Sequence, residues 1–143
     1  MRQLRGWKPL GPIIAALAIA VALKSWVMDL AFVEGASMLP TYHQGQLIIL
    51  FRAAYGWRFL PGQPYVLRWA SPKPGDIVVA ANPASGVAVI KRVEWNHGDN
   101  GGPARDFVYL LGDNPGESLD SRAHGPIPVE KVAGRVLIFH HHK

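Results

Sequence analysis

The sequence predicts a mainly β protein: a compact, antiparallel β-rich domain carried on one N-terminal transmembrane helix. Three observations lead there. Beyond Asp29 the chain is a series of short β-branched runs broken by turns, with 15 Gly and 12 Pro in 143 residues, which disfavours a helical bundle. Charged residues are only 17% against 49% hydrophobic, more apolar character than an ordinary core requires. Finally, Leu10–Leu23 contains no charged side chain. The length suits one domain rather than two. Cysteine is absent, which excludes a disulfide scaffold, a thiolate metal site and a cysteine nucleophile.

Residues 1–9 form a basic N-terminus. Arg2, Arg5, Lys8 and Lys24 supply +4 of the net +5 within residues 1–24, where there is no acid. The rest of the chain is nearly neutral, which argues against nucleic acid as a partner. Residues 10–28 are the expected transmembrane anchor: 19 residues, roughly 28 Å as a helix, with Lys24 placed to snorkel and Trp7 and Trp26 at the flanks. The preceding bases put the N-terminus in the cytoplasm and residues 29–143 outside it, in a single-pass topology. A basic region, an apolar run and the triplet Ala20-Val21-Ala22 also fit a cleaved signal peptide, and composition does not separate the two.

Candidate strands follow at Leu30–Glu34, Gln46–Phe51, Asp76–Ala81, Gly86–Glu94, Asp106–Leu111 and Val132–Phe139. Asn82-Pro83 and Ser85-Gly86 mark a hairpin turn between the third and fourth. Residues 51–69 hold six aromatics (Phe51, Tyr55, Trp57, Phe59, Tyr65 and Trp69) with Arg52, Arg58 and Arg68 and no acid. Such a segment can pack on the sheet or meet an anionic lipid surface.

Phosphate-binding, dinucleotide, HExxH and EF-hand patterns are missing, and His140–His142 reads as a tail rather than a metal site. With only six Ser and six Lys, nucleophiles can be sorted one by one. Ser37 lies in Gly35-Ala36-Ser37-Met38-Leu39-Pro40-Thr41, where small residues admit a substrate backbone; it needs a base. Lys91 lies in Val87-Ala88-Val89-Ile90-Lys91-Arg92-Val93, and period-2 alternation puts it on one face with Val87, Val89 and Val93. It is either an edge lysine or a desolvated one, and desolvation lowers a lysine from about 10.4, freeing an amine that can take a proton from serine. The third stretch, Gly112-Asp113-Asn114 through Ser118, Asp120, Ser121 and Arg122, is a polar loop after an apolar strand.

These stretches, with Gly75-Asp76-Ile77-Val78-Val79, resemble the four motifs of the bacterial type I signal peptidase (leader peptidase) family, in their order and after a membrane segment. The likeness spans roughly residues 10–138. It implies Ser37 as nucleophile, Lys91 as general base, Ser118 as the hydroxyl that orients the lysine, and Asp120 with Arg122 as structural support. It implies an uncleaved anchor, a two-lobed β-rich domain, and no metal or cofactor. The partners implied are signal peptides of exported preproteins, cut after small residues, and membrane lipid. Some members carry a serine where this chain has Gly35, so the oxyanion hole is expected from the Ser37 backbone with Gly35. Small pockets are expected near Val33, Met38 and Ile90. A narrow-client Ser/Lys processing peptidase, and a non-catalytic anchored β module that binds lipid or a partner, are the alternative readings. No pattern indicates an oligomeric state.

Overall fold

The computed structural model describes residues 10–60, 63–96 and 107–137. Helix α1 (Gly11–Val27) leads straight into β1 (Met28–Phe32). The strands β2 (Leu47–Phe51), β3 (Gly56–Trp57), β4 (Leu67–Arg68), β5 (Ile77–Ala81), β6 (Ala88–Asn96) and β7 (Phe107–Leu111) follow, then the short helix α2 (Ser121–His124), β8 (Ile127–Pro128) and β9 (Val132–Leu137). Seven strands form one sheet in the order β1-β2-β9-β5-β6-β7-β8, every pair antiparallel, while β3 and β4 pair separately.

The central strand explains the layers. All of Ile77–Ala80 is buried, because the sheet is covered on both faces and β5 lies in the middle. Val78 and Ala80 point to a cluster with Tyr55, Val93, Val108, Leu110 and Val132. Ile77 and Val79 point to a second cluster with Val33, Met38, Tyr42, Ile48, Leu50 and Val136. That two-unit alternation is the strand period. The β5–β6 hairpin closes as expected: Asn82 N–H donates to Val87 O at 2.9 Å, Gly86 N–H to Asn82 O at 2.8 Å, and Ala84 N–H to the Asn82 side chain at 2.8 Å, an Asx turn.

All six expected strands are present with shifted ends. The first starts two residues early, because α1 passes into β1 without a loop. The sequence reading did not anticipate β3, β4 or β8, each two residues long and too short to show a period. Residues 1–9, 97–106 and 138–143 lie outside the described residues, and with them the basic N-terminus, Trp7, Asp106 and the His140–His142 tail.

The expected 19-residue span is corrected. Helix α1 has 17 residues, and among the described residues no helix is long and apolar enough to cross a membrane. Met28, counted above in the span, pairs with Phe51 of β2, so sheet pairing claims the helix end. The segment 51–69 divides: Tyr55 is core, Phe51, Trp57 and Tyr65 are half-buried, and Phe59 and Trp69 are exposed. Trp57 sits between Trp26 of α1 and Phe59, with ring centroids 6.2 and 4.6 Å apart.

Candidate active site

Lys91 is placed by the β5–β6 pairing, opposite Val78, and so faces the first apolar cluster beside Val93. Its side chain is only 4% exposed. Val87, expected on the same face, precedes the strand and is exposed; the hairpin turn takes it out of the ladder. Ser37 sits in the turn between β1 and β2, its Oγ 2.8 Å from Lys91 Nζ, a bond across 54 residues of sequence. Burial lowers the lysine below its ordinary value; Asp120 opposes the shift and Arg122 assists it. The adjacent cation Arg92 is not a cause: it points to the opposite face and chelates Asp113 at 2.8 and 2.6 Å.

Asp120 is 1% exposed yet charged. Burial alone would raise it, but Arg122 (2.9 and 2.6 Å), the Gly112 amide (2.9 Å), the Ser118 hydroxyl (2.6 Å) and the Arg122 amide (3.2 Å) hold it far below the usual carboxylate range. Asp120 thus caps α2 and pins the loop to the end of β7. Ser118, expected to orient the lysine, donates to Asp120 instead, and among the described residues no hydrogen bond joins it to Lys91. Ser121, also buried, receives the Leu110 amide at 3.0 Å.

Gly112 makes the assembly possible. A Cβ there would lie 2.2 Å from Ser118 Oγ and 2.6 Å from Ser37 O, so this backbone is where the nucleophile turn and the Ser118 loop converge. Gly35 adopts φ +80° with open space around its Cα, a conformation that L side chains rarely take. The three expected pocket residues meet in one cluster: Val33 and Met38 are sealed inside it, and Ile90 packs against it half-buried. Ile90 is therefore the one of the three with surface left to present.

Two features escaped the sequence reading. Thr41 Oγ1 donates to Asp113 at 2.5 Å while Arg92 grips the same carboxylate, tying the nucleophile turn to β6 and to the loop after β7. Asn114 donates its main-chain N–H to Ser37 O at 2.9 Å and its Nδ2 to Ala36 O at 3.1 Å. Their only sequence signal was position, next to Lys91 and to Gly112. His124 has its Nδ1 3.0 Å from Gly125 O. Among the described residues no cluster of His, Asp and Glu is arranged for a metal.

A serine hydroxyl against a desolvated amine on an antiparallel sheet is equipment for hydrolysis, and comparison with known proteins gives the class as a signal-peptidase type of protease. Residues 7–100 and 104–140 match the family described as "Signal peptidase, peptidase S26", and the chain belongs to that family. It is 28% identical over 137 residues to mitochondrial inner membrane protease subunit 1 of Schizosaccharomyces pombe, covering 87% of this chain and 81% of that protein. Probable signal peptidase I-1 of Synechocystis is 26% identical, with 87% and 77% covered. Signal peptidase I of Bacillus licheniformis is 28% identical, with 73% and 50% covered.

Proposed function

We propose that this protein is a membrane-anchored serine endopeptidase that removes signal peptides from exported preproteins after small residues, with Ser37 as nucleophile and Lys91 as general base. The observation that carries this is the 2.8 Å approach of Lys91 Nζ to Ser37 Oγ in a site where burial lowers the lysine. A neutral amine accepts the Ser37 proton and Oγ attacks the scissile carbonyl. The oxyanion is stabilised by the Ser37 N–H, with Gly35 leaving room for it. The Lys91 ammonium then protonates the leaving amine, an acyl-Ser37 remains, and a water activated by Lys91 releases it. Arg122 offsets the pull of Asp120 on the lysine, while Asp120 holds Ser118 and Gly112 in place. The substrate lies extended along a strand edge beside Ser37, its small side chain against Ile90.

In this reading the apolar segment that ends with α1 at Val27 is the uncleaved anchor, the N-terminus is cytoplasmic and the sheet domain is extracytoplasmic. Helix α1 supports it by exposing Ile13, Ile14, Leu17, Ile19 and Val21, and such a helix calls for an apolar surrounding. At its base, Trp26, Trp57, Phe59, Leu60, Arg52 and Arg58 line a pocket of about 360 Å³, a composition suited to the interface of an anionic bilayer.

The test is detergent-solubilised protein with a model preprotein, wild type against Ser37→Ala. Loss of cleavage in the variant supports the reading. Equal cleavage by both removes Ser37, and binding of lipid or a partner with no cleavage by wild type favours the non-catalytic module. A peptidase with a narrow client would cut its own substrate and spare the model preprotein.

A further inference from the structure

Both peptide units that flank the Ser37 Cα are held by one residue. Asn114 Nδ2 donates to Ala36 O at 3.1 Å, and the Asn114 main-chain N–H donates to Ser37 O at 2.9 Å. A trans peptide is planar, and its C=O and N–H point in opposite directions. The Ala36 carbonyl shares its plane with the Ser37 N–H, so a donor that captures Ala36 O on the Asn114 side aims the Ser37 N–H away from it. Fixing the second plane through Ser37 O fixes both planes about Cα, and with them the direction of the Cα–Cβ bond that carries Oγ. Among the described residues the Ser37 N–H finds no acceptor of its own. It is a free donor aimed by its neighbours, next to the open space at Gly35.

Ala36 O also receives Leu39 N–H, at 3.2 Å, but that bond closes the turn on itself and moves with it. The Asn114 bonds attach the turn to the loop after β7, which is fixed by Asp113 on Arg92 and by Asp120 on Gly112. We infer that Asn114 is a positioning residue for the oxyanion hole: its side-chain amide sets the plane of the Ala36–Ser37 peptide and thereby the aim of the Ser37 N–H. The inference rests on the Ser37 reading above.

A donor so aimed acts on the tetrahedral state more than on bound substrate, so losing its aim lowers kcat with little change in KM. Removing an oxyanion donor outright costs roughly 10²–10³ in kcat; a donor that remains but drifts should cost about 10–100-fold. The experiment uses full-length Asn114→Asp, which keeps the size but replaces the donor by an acceptor facing Ala36 O, and Asn114→Ser as a second variant. Each is assayed for kcat and KM on a peptide with a small-x-small site, for affinity toward the corresponding peptide aldehyde, and for Tm. The expected result is kcat at least 10-fold lower, KM within 2-fold, aldehyde affinity reduced in step with kcat, and Tm within about 3 °C in at least one variant. The rising limb of the pH profile stays where it is in wild type, because Lys91 is untouched. A kcat within 3-fold of wild type, or a loss confined to KM or Tm with aldehyde affinity unchanged, overturns the inference and leaves the Ser37 reading standing. Wild-type protein that neither cleaves nor forms the aldehyde adduct overturns both.

Discussion

Replacing Gly112 by alanine adds one methyl group at the tightest point of the site. That carbon would sit 2.2 Å from Ser118 Oγ, 2.6 Å from Ser118 Cβ and 2.6 Å from Ser37 O, where ordinary contact begins near 3.4 Å. Ser118 can rotate, although doing so breaks its 2.6 Å bond to Asp120. The Ser37 carbonyl is backbone and cannot rotate away alone, so the nucleophile turn must retreat by about 0.8 Å, the shortfall from van der Waals contact. The Ser37–Lys91 bond, now 2.8 Å, would open toward about 3.6 Å, past the limit of a hydrogen bond. A misplacement near 1 Å costs on the order of 10²-fold in rate. Overpacking costs about 1–3 kcal/mol, or roughly 3–10 °C in Tm for a domain of this size. The control is Gly116→Ala, the same chemical change four residues on, where the nearest atom is 3.9 Å away. We expect kcat/KM on a peptide substrate to fall about 100-fold for Gly112→Ala and to stay within 2-fold for Gly116→Ala. Gly112→Ala with activity within a few-fold of wild type would show that the turn can move freely, and would refute the packing reasoning.

Three further outcomes are expected. Lys91→Met should abolish cleavage yet raise Tm, because it exchanges a buried amine for an apolar side chain of similar shape; a gain of about 1 kcal/mol corresponds to roughly 2–4 °C, and a lower Tm would show that the lysine is stabilising. Asp120→Asn should be less stable than wild type at pH 7. The folded carboxyl is held below its ordinary value, so its contribution is present above about pH 4 and is lost as pH falls through the folded value; the Tm difference should narrow on acidification, and a constant difference from pH 7 to 3 would contradict the ion-pair account. Trp57→Ser with Phe59→Ser should weaken binding to anionic vesicles in a protein lacking residues 1–9, with a further loss at high salt; unchanged vesicle binding would assign these rings to packing alone.

What could be read from the sequence divides along physical lines. Strands with a clear apolar run, such as Leu47–Phe51 and Ile77–Ala81, declare themselves because burial imposes a pattern on five consecutive residues. β3, β4 and β8, at two residues each, cannot. Lys91 was identifiable because a lysine amid β-branched residues is an anomaly that burial explains, and Asp120 with Arg122 because opposite charges two residues apart can meet. The direction of Ser118, toward Asp120 rather than Lys91, depends on a rotamer, and no local pattern encodes it. The clamp of Asn114 on Ala36 and Ser37 joins residues 78 positions apart through a backbone carbonyl, and carbonyls are identical in every residue. The helix end was misplaced because hydropathy ran on through Met28, while pairing with Phe51 decides where α1 stops.

The central claim is that a desolvated Lys91 takes the proton from Ser37, and the pH dependence of kcat/KM tests it most directly. Burial lowers the amine from an ordinary value of 10.5, and only the neutral form is active, so kcat/KM should rise with pH along a limb lying below 10.5. Lys91→Arg, which keeps its charge throughout this range, should be flat and near zero. A limb centred at or above the ordinary lysine value, or one that survives in Lys91→Arg, would contradict the account.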